Sequence, residues 1–222
     1  MGANGELAKG WKMLKRFWQF VWNDDSLLSW AVAFVLAFVL IKFLIYPGLG
    51  LILATSHPIV AVVSSSMEHN EGFETWWGNS SKWYEDHGIT KADFEKFSMK
   101  NGFNKGDLIL LRGKKPADIQ VGNILVFQSH KTRMTAEPII HRVVAKQKTE
   151  GNYVFQTKGD NYKTNPASIN ACGLEGCIDE TNINEQRIIG TAWLKIPYMG
   201  YAKIWFVELI NTLKGVLNAI LP

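Results

Sequence analysis

The sequence predicts a mainly β domain attached to one N-terminal membrane-spanning helix, with a partly helical insert and a C-terminal amphipathic helix. Three observations predict this class: a long uncharged N-terminal stretch, several short runs rich in Val, Ile, Leu and Phe, and a final segment with apolar residues at helical spacing. The chain has 222 residues, 47% of them hydrophobic and 20% charged, so it is long enough to bury a core and too apolar to be disordered.

The membrane span is predicted from an apolar stretch near the N-terminus. No charged residue lies between Ser26 and Ile41, and Lys42 alone interrupts before the uncharged run continues to Ser56. A span needs about 20 apolar residues, which predicts an anchor over residues 26–49, with Pro47 and Gly48 as stop signals. The alternatives are a buried core helix and a cleaved signal peptide, but the apolar stretch exceeds the roughly 7–15 residues of such peptides.

The distribution of charge predicts the orientation of this span. Four basic residues precede it, and no Lys or Arg occurs from Phe43 to Ser81, so the positive-inside rule predicts a cytoplasmic N-terminus: Lys9, Lys12, Lys15 and Arg16. Residues 1–25 are therefore expected to be a cytoplasmic, interfacial basic–aromatic segment. The expected location is the cell membrane, or the endoplasmic reticulum membrane in a eukaryote, with a single span and the main domain outside. The net charge of +4 is spread out, and no basic cluster predicts binding to nucleic acid.

The predicted external domain covers residues 50–200. Its strand-like runs are separated by Gly, Asn, Asp and Pro: "DLILLRG", "NILVFQS", "IIHRVVAKQ", "NYVFQTKG" and "RIIGTAWLKI". Residues 68–102 form a polar, aromatic insert in which Thr90 is the predicted N-cap of a helix. Residues 201–222 are predicted to be an amphipathic, membrane-associated helix. A span shielded by a partner and a helix packed on the domain remain alternatives.

Two further features follow from an external location. Cys172 and Cys177 are the only cysteines, and an oxidising compartment favours a disulfide between them. A single C-x4-C pair lacks the four ligands of a structural zinc site, so no metal site is predicted. Asn79 begins an Asn-Ser-Ser triplet and is a candidate glycosylation site.

The stretch "PIVAVVSSSMEHN" places three serines directly after an apolar strand-like run. A serine becomes a nucleophile when a base removes its proton, and His141 is the one histidine inside a strand-like run, where the scaffold would fix its ring. A hydrogen-bonded core histidine is the alternative. Asp160, in "TKGDN", is either a carboxylate that orients the imidazole or a turn residue that bonds its own backbone.

Four segments together resemble the conserved boxes of type I signal peptidases: "VVSSSM", "NKGDLILL", "IIHRVV" and "TKGDN", followed by "RIIGTAWLKIPYMGY". The resemblance is closer to the archaeal and endoplasmic-reticulum branch than to the bacterial branch, and the insert is most similar to archaeal members. It implies a catalytic domain of antiparallel sheets, with Ser66 as the nucleophile and His141 as the general base. It also implies that Ser64 and the N–H of Ser66 form the oxyanion hole, and that Asp160 is an acidic residue near the base.

Three positions depart from the pattern of this family. Ser65 stands where Gly is usual, and His69 stands where Pro is common. A second aspartate often follows "KGDN" by about six residues, but "YKTNP" contains no acid. Asp179, beyond the two cysteines, is therefore an alternative candidate for the carboxylate that orients His141.

The resemblance implies a membrane-bound serine endopeptidase that removes signal peptides from secretory precursors and needs no cofactor. Its expected partners are precursors with small residues before the cleavage site, the lipid bilayer, and the secretion channel or accessory subunits. The main alternative is a non-catalytic, membrane-anchored accessory subunit of a secretion or signal peptidase complex. A self-cleaving regulatory protease with this β domain is a further alternative, although such proteins typically use lysine as the base.

Overall fold

A computed structural model describes residues 3–128, 138–173 and 176–220 of the chain. The chain divides into two compact units, Met1–Ile52 and Leu53–Pro222. The first unit is helical, and the second contains the strands, the insert and the C-terminal helix.

The N-terminal unit consists of helices α1 (Ala3–Asn23), α2 (Leu27–Leu40) and α3 (Tyr46–Ile52), with a π-helical turn at Ile41–Ile45. Ser26 caps α2, since its hydroxyl accepts a hydrogen bond from the backbone N–H of Ser29 at 3.2 Å. The hydroxyl of Ser29 donates to the carbonyl of Phe20 at 2.7 Å and joins α2 to the end of α1.

One continuous helical segment in the described part of the chain, Leu27–Ile52, is long and apolar enough to cross a membrane. It passes through Pro47 and Gly48, so the predicted stop at these residues is wrong. Proline lacks an N–H and its ring crowds the preceding turn. The π-helical turn at Ile41–Ile45 lies just before Pro47, and such a widened turn accommodates this crowding without ending the helix.

The second unit is built on a seven-stranded antiparallel sheet in the order β1-β2-β9-β3-β4-β5-β8. A separate hairpin pairs β6 with β7. The strands are β1 (Ile59–Ala61), β2 (Leu108–Arg112), β3 (Ile124–Phe127), β4 (Ile139–Thr149), β5 (Asn152–Lys158), β6 (Asn170–Gly173), β7 (Gly176–Asp179), β8 (Ile183–Asn184) and β9 (Ile188–Ile196). The five strand-like runs correspond to β2, β3, β4, β5 and β9, which confirms the predicted mainly β class.

The insert contains two helices, α4 (Phe73–Asp86) and α5 (Lys91–Phe94), as predicted. Thr90 caps α5 through a capping box with Asp93. An aromatic cluster holds the insert against strand β4: Trp76, Trp77, Tyr84, Ile89, Phe94 and Val144 are all buried. The insert therefore packs directly on one of the strands predicted to carry the site.

The C-terminal helix α6 covers Tyr201–Ile220. Its start packs closely on Gly106, where a Cβ atom would lie 2.0 Å from the ring of Tyr201. Gly106 also has φ +91°, a conformation that L side chains rarely adopt. Asp107 accepts hydrogen bonds from the backbone of Asn104 and Tyr198, so the "KGD" box at this point has a structural role.

Candidate active site

The three serines follow edge strand β1 and lie in a tight turn. Met67 is fully buried and fixes the end of this turn, and its carbonyl accepts from the backbone N–H of Phe103 at 3.0 Å. Ser66 is half-buried and Ser64 is exposed, with their hydroxyl oxygens 3.2 Å apart. The two hydroxyls are thus close together and accessible from outside, as a nucleophile and a neighbouring donor need to be.

The "KGDN" turn after β5 holds the serine turn through its backbone. The N–H of Asn161 donates to the carbonyl of Ser66 at 2.9 Å, and its side-chain amide donates to the carbonyl of Ser65 at 2.9 Å. Gly159 packs so closely on the serine turn that a Cβ atom there would lie 2.8 Å from the backbone carbonyl oxygen of Ser66. The position of Ser66 therefore depends on this second turn.

His141 lies on β4, is buried with 5% of its surface exposed, and pairs with Leu125 of β3. The next residue, Arg142, pairs with Lys158, the last residue of β5. The turn that holds Ser66 begins directly after Lys158, so the backbone register brings Ser66 and His141 to the same end of the sheet.

Glu180 is the carboxylate that contacts His141: its Oε1 is hydrogen-bonded to the ring Nδ1. Glu180 is 0% exposed and follows the β6–β7 hairpin. Sequence reasoning missed this residue and considered its neighbour, Asp179. A single buried acid after a short hairpin carries no periodic signal, and only the pairing of distant segments identifies it.

Comparison with known proteins adds a second line of evidence to this geometry. The signal peptidase complex catalytic subunit SEC11 of Lachancea thermotolerans is 26% identical over 183 residues, covering 80% of this chain and 83% of that protein. SEC11 of Scheffersomyces stipitis is 25% identical over 191 residues, covering 86% of this chain and 87% of that protein. SEC11C of Homo sapiens is 31% identical over 108 residues, covering 48% of this chain and 52% of that protein. No family model matches the chain.

The chain is a homologue of signal peptidase catalytic subunits. The resemblance to the endoplasmic-reticulum branch of type I signal peptidases is thereby confirmed. These relatives are from yeasts and mammals, so the closer likeness to archaeal members stays a prediction.

In this signal peptidase homologue Asp160 does not contact His141, which corrects the expected contact. His141 and Arg142 are consecutive strand residues, so their side chains point to opposite faces of the sheet. Asp160 lies on the face of Arg142, whose Nη2 donates to Oδ2 at 2.6 Å. It also accepts from Tyr84 at 3.0 Å and is bonded to the ring Nε2 of His69 at 3.1 Å.

The environment of Asp160 explains its ionisation. Burial alone would raise the pKa of this carboxyl group, but the charge and hydrogen bonds of Arg142 and the contact with His69 outweigh burial. The pKa is therefore held well below its usual range. A carboxylate that is charged at neutral pH and bonded to Arg142 therefore connects the insert to the sheet.

Asp179 does not contact His141 either. Its Oδ1 accepts from the backbone N–H and the hydroxyl of Thr181, at 2.9 and 2.7 Å, and from the N–H of Asn182. Burial raises the pKa of Asp179, but these hydrogen bonds lower it by more, so the net shift of the pKa is downward. Asp179 stabilises the turn after β7, and Glu180, one residue later, faces the histidine.

Lys158 is a buried cation beside the site, on the Arg142 face of the sheet. Its Nζ donates to the carbonyl of Gly159 at 2.7 Å and lies 5.2 and 5.0 Å from the ring centres of Trp83 and Tyr84. Burial lowers the pKa of Lys158 to about 8, although the negative charges of Asp160 and Glu180 act to raise it. Its contacts are with the insert and with the turn that holds Ser66.

The remaining predicted sites lie outside this cluster. The backbone register places Cys172 directly opposite Cys177 in the β6–β7 hairpin, a spacing compatible with a disulfide, while their side chains lie outside the described part of the structure. Asn79 is exposed on α4, and its side-chain amide donates to the carbonyl of Thr75. Neither the disulfide nor glycosylation is tested by the backbone, and both stay predictions.

Proposed function

We propose that this chain is a membrane-bound serine endopeptidase that removes signal peptides from secretory precursors. The observation that carries the proposal is that the Asn161 turn holds the serine turn by two hydrogen bonds and follows Lys158, which pairs with the residue next to His141. His141 itself has a buried carboxylate contact. Homology to signal peptidase catalytic subunits supports the same function.

The chemistry is acyl transfer. A neutral imidazole whose Nδ1–H donates to Glu180 presents Nε2 as the acceptor, so His141 removes the proton from the hydroxyl of Ser66. Ser66 attacks the scissile carbonyl, and the imidazolium then protonates the leaving amine. Water, activated by the same histidine, hydrolyses the acyl-enzyme.

The oxyanion hole is assigned to the N–H of Ser66 and the hydroxyl of Ser64. The 3.2 Å separation of the two hydroxyl oxygens supports this assignment, because a donor beside the nucleophile faces the charge that develops on the carbonyl oxygen. Loss of one such donor typically raises the barrier by about 2.7–4 kcal/mol.

The substrate is assigned by the position of the site in the chain. Ser66 follows the candidate span by only fourteen residues, counted from Ile52, so the nucleophile stays near the membrane from which a signal peptide emerges. Edge strand β1 leads directly to the serines, and an exposed sheet edge can pair with an extended peptide. We assign as substrates precursors with small residues before the cleavage point. For this chain itself we propose a cytoplasmic N-terminus and, as partners, the secretion channel or accessory subunits.

The test is cleavage of a signal-peptide-bearing precursor by the full chain in liposomes. Ser66→Ala and His141→Ala are expected to abolish cleavage, and Ser64→Ala to leave about 0.1–1% of the rate, by analogy with loss of one oxyanion donor. Ser56→Ala and His57→Ala are matched controls, because this exposed pair, with Oγ and Nδ1 2.9 Å apart, lies outside the site. Retained activity in His141→Ala would refute the assigned base.

A second candidate function is a non-catalytic subunit of a signal peptidase complex. The relatives are named as catalytic subunits of a complex, so their names favour membership of a complex but not the absence of activity. A folded wild-type chain that cleaves nothing in liposomes, but binds catalytically competent partner subunits, would support this alternative over the enzyme.

A further inference from the structure

We propose that Glu180 is the residue that positions His141 for catalysis in this chain, a role that rests on the proposed function. Glu180 is fully buried, and the ring Nδ1 of His141 contacts its Oε1. The two acids considered from the sequence bind other groups: Asp160 binds Arg142, and Asp179 binds Thr181.

The carboxylate of Glu180 is itself held in one orientation. Its Oε1 also accepts from the hydroxyl of Thr157 at 2.9 Å, and its Oε2 accepts from the backbone N–H of Ile169 at 2.8 Å. Both oxygens are therefore occupied by donors. A carboxylate fixed in this way holds the imidazole ring in one orientation and tautomer and stabilises the imidazolium that forms during the reaction.

The backbone of Glu180 is fixed by the same neighbours. Its N–H donates to the carbonyl of Ile169 at 2.8 Å, and its carbonyl accepts from the N–H of Thr157 at 2.9 Å. Ile169 and Glu180 thus close the base of the β6–β7 hairpin, while Thr157 is in β5, next to β4. The hairpin delivers Glu180 to the sheet, and the sheet aligns it with His141.

Thr157 supports this assignment through strand geometry. It precedes Lys158 in β5, so the two side chains point to opposite faces. Lys158 lies on the Arg142 face with the insert, whereas Thr157 faces Glu180. The contacts of β4 and β5 separate in the same way: His141 and Thr157 meet Glu180 on one face, and Arg142 meets Asp160 on the other.

The experiment measures kcat and KM for precursor cleavage by the full chain in liposomes, with Glu180→Gln as the main variant. We expect kcat to fall by about 10²–10⁴-fold with KM changed less than about twofold, since an amide neither selects the tautomer nor stabilises the imidazolium. Glu180→Asp is expected to recover part of the lost kcat. Asp179→Asn, a neighbouring carboxylate that does not contact the ring, is the control and is expected to keep kcat within about twofold.

A second variant separates positioning from folding. Thr157→Val removes one hydroxyl donor to Glu180 while keeping shape, and we expect a roughly 3–10-fold loss of kcat with unchanged KM. Thermal melting of each variant identifies any that fail to fold. If folded Glu180→Gln retains wild-type kcat, the positioning role of Glu180 is refuted while the protease function stands. If folded Thr157→Val retains wild-type kcat, the supporting role of the Thr157 hydroxyl is refuted. If wild type is inactive or Ser66→Ala remains active, the proposed function fails, and the role of Glu180 fails with it.

Discussion

Replacing Asp160 by Asn tests the buried ion pair that joins the insert to strand β4. The substitution keeps the shape but removes the charge that Arg142 faces, with both side chains 0% exposed. Removing one partner of a buried pair costs about 3–5 kcal/mol. The guanidinium keeps three carbonyl acceptors, at Ser98, Met99 and Gly122, which favours the lower end of this range. We therefore expect the free energy of unfolding to fall by about 3 kcal/mol.

The assay is thermal unfolding of the full chain in detergent, followed by the fluorescence of the buried tryptophans of the insert. For a unit of this size, a loss of about 3 kcal/mol lowers the Tm by about 6–12 °C. Asp86→Asn is the matched control, because Asp86 pairs with Lys82 on the exposed surface of α4. Loss of such a surface pair is expected to change stability by less than about 1 kcal/mol.

The pH dependence gives the same prediction an independent check. The pKa of Asp160 is held below its usual range, so the charged carboxylate stabilises the folded state above the unfolded value of about 3.9. This contribution is lost as the pH falls from about 4 toward the lower folded-state pKa. The difference in Tm between wild type and Asp160→Asn should therefore shrink below about pH 4. A difference that is constant from pH 6 to 3, or absent throughout, would refute the reasoning.

Three further predictions concern the neighbouring residues. Burial lowers the pKa of Lys158 to about 8, so the unfolded chain binds more protons between about pH 8 and 10.4. The stability of wild type relative to Lys158→Met should therefore rise as pH increases through that window; parallel melting curves would contradict this. Gly159→Ala places a Cβ atom 2.8 Å from the backbone carbonyl oxygen of Ser66 and so shifts the serine turn. We therefore expect kcat/KM to fall by about tenfold or more. Gly78→Ala, with no atom within 4 Å, is the control and should remain active. The predicted disulfide between Cys172 and Cys177 should block alkylation of both thiols until a reductant is added, as measured by intact mass.

Most of the sheet could be predicted because five of its seven strands have a local signal. Short β-branched and aromatic runs between turn residues predict β2, β3, β4, β5 and β9 without knowledge of their neighbours. The end of the candidate span was predicted wrongly because local signals alone were used there as well. Pro47 and Gly48 are local stop signals, but the π-helical turn before them lets the helix continue.

The site could be predicted only in part. Ser66 and His141 come from sequence boxes at the end of a strand and inside one, so resemblance to a family proposes them as nucleophile and base, and both roles stay predictions. The partner of His141 depends instead on which face of β4 each acid reaches and on where the β6–β7 hairpin ends. Asp160 and Glu180 are both acids near a turn in the sequence, and only the fold assigns one to Arg142 and the other to His141.

The alternation of side chains along β4 places a buried ion pair on one face of the sheet and the proposed base, His141, on the other face. Arg142 and Asp160 form a fully buried pair on the insert face, and their charges are satisfied there by Tyr84, His69 and backbone carbonyls. His141 is on the other face with Glu180 as its carboxylate partner, and the hydrogen-bond partners of Asp160 are Arg142, Tyr84 and His69. The same arrangement bears on "YKTNP", the segment that lacks the second aspartate found after "KGDN" in the family. A family acid is missing from that turn, and the carboxylate at the end of a different hairpin occupies the position beside the histidine. The test of this argument is additivity: Asp160→Asn should lower stability, Glu180→Gln should lower kcat, and the double variant should show both losses without a further coupling larger than about 0.5 kcal/mol.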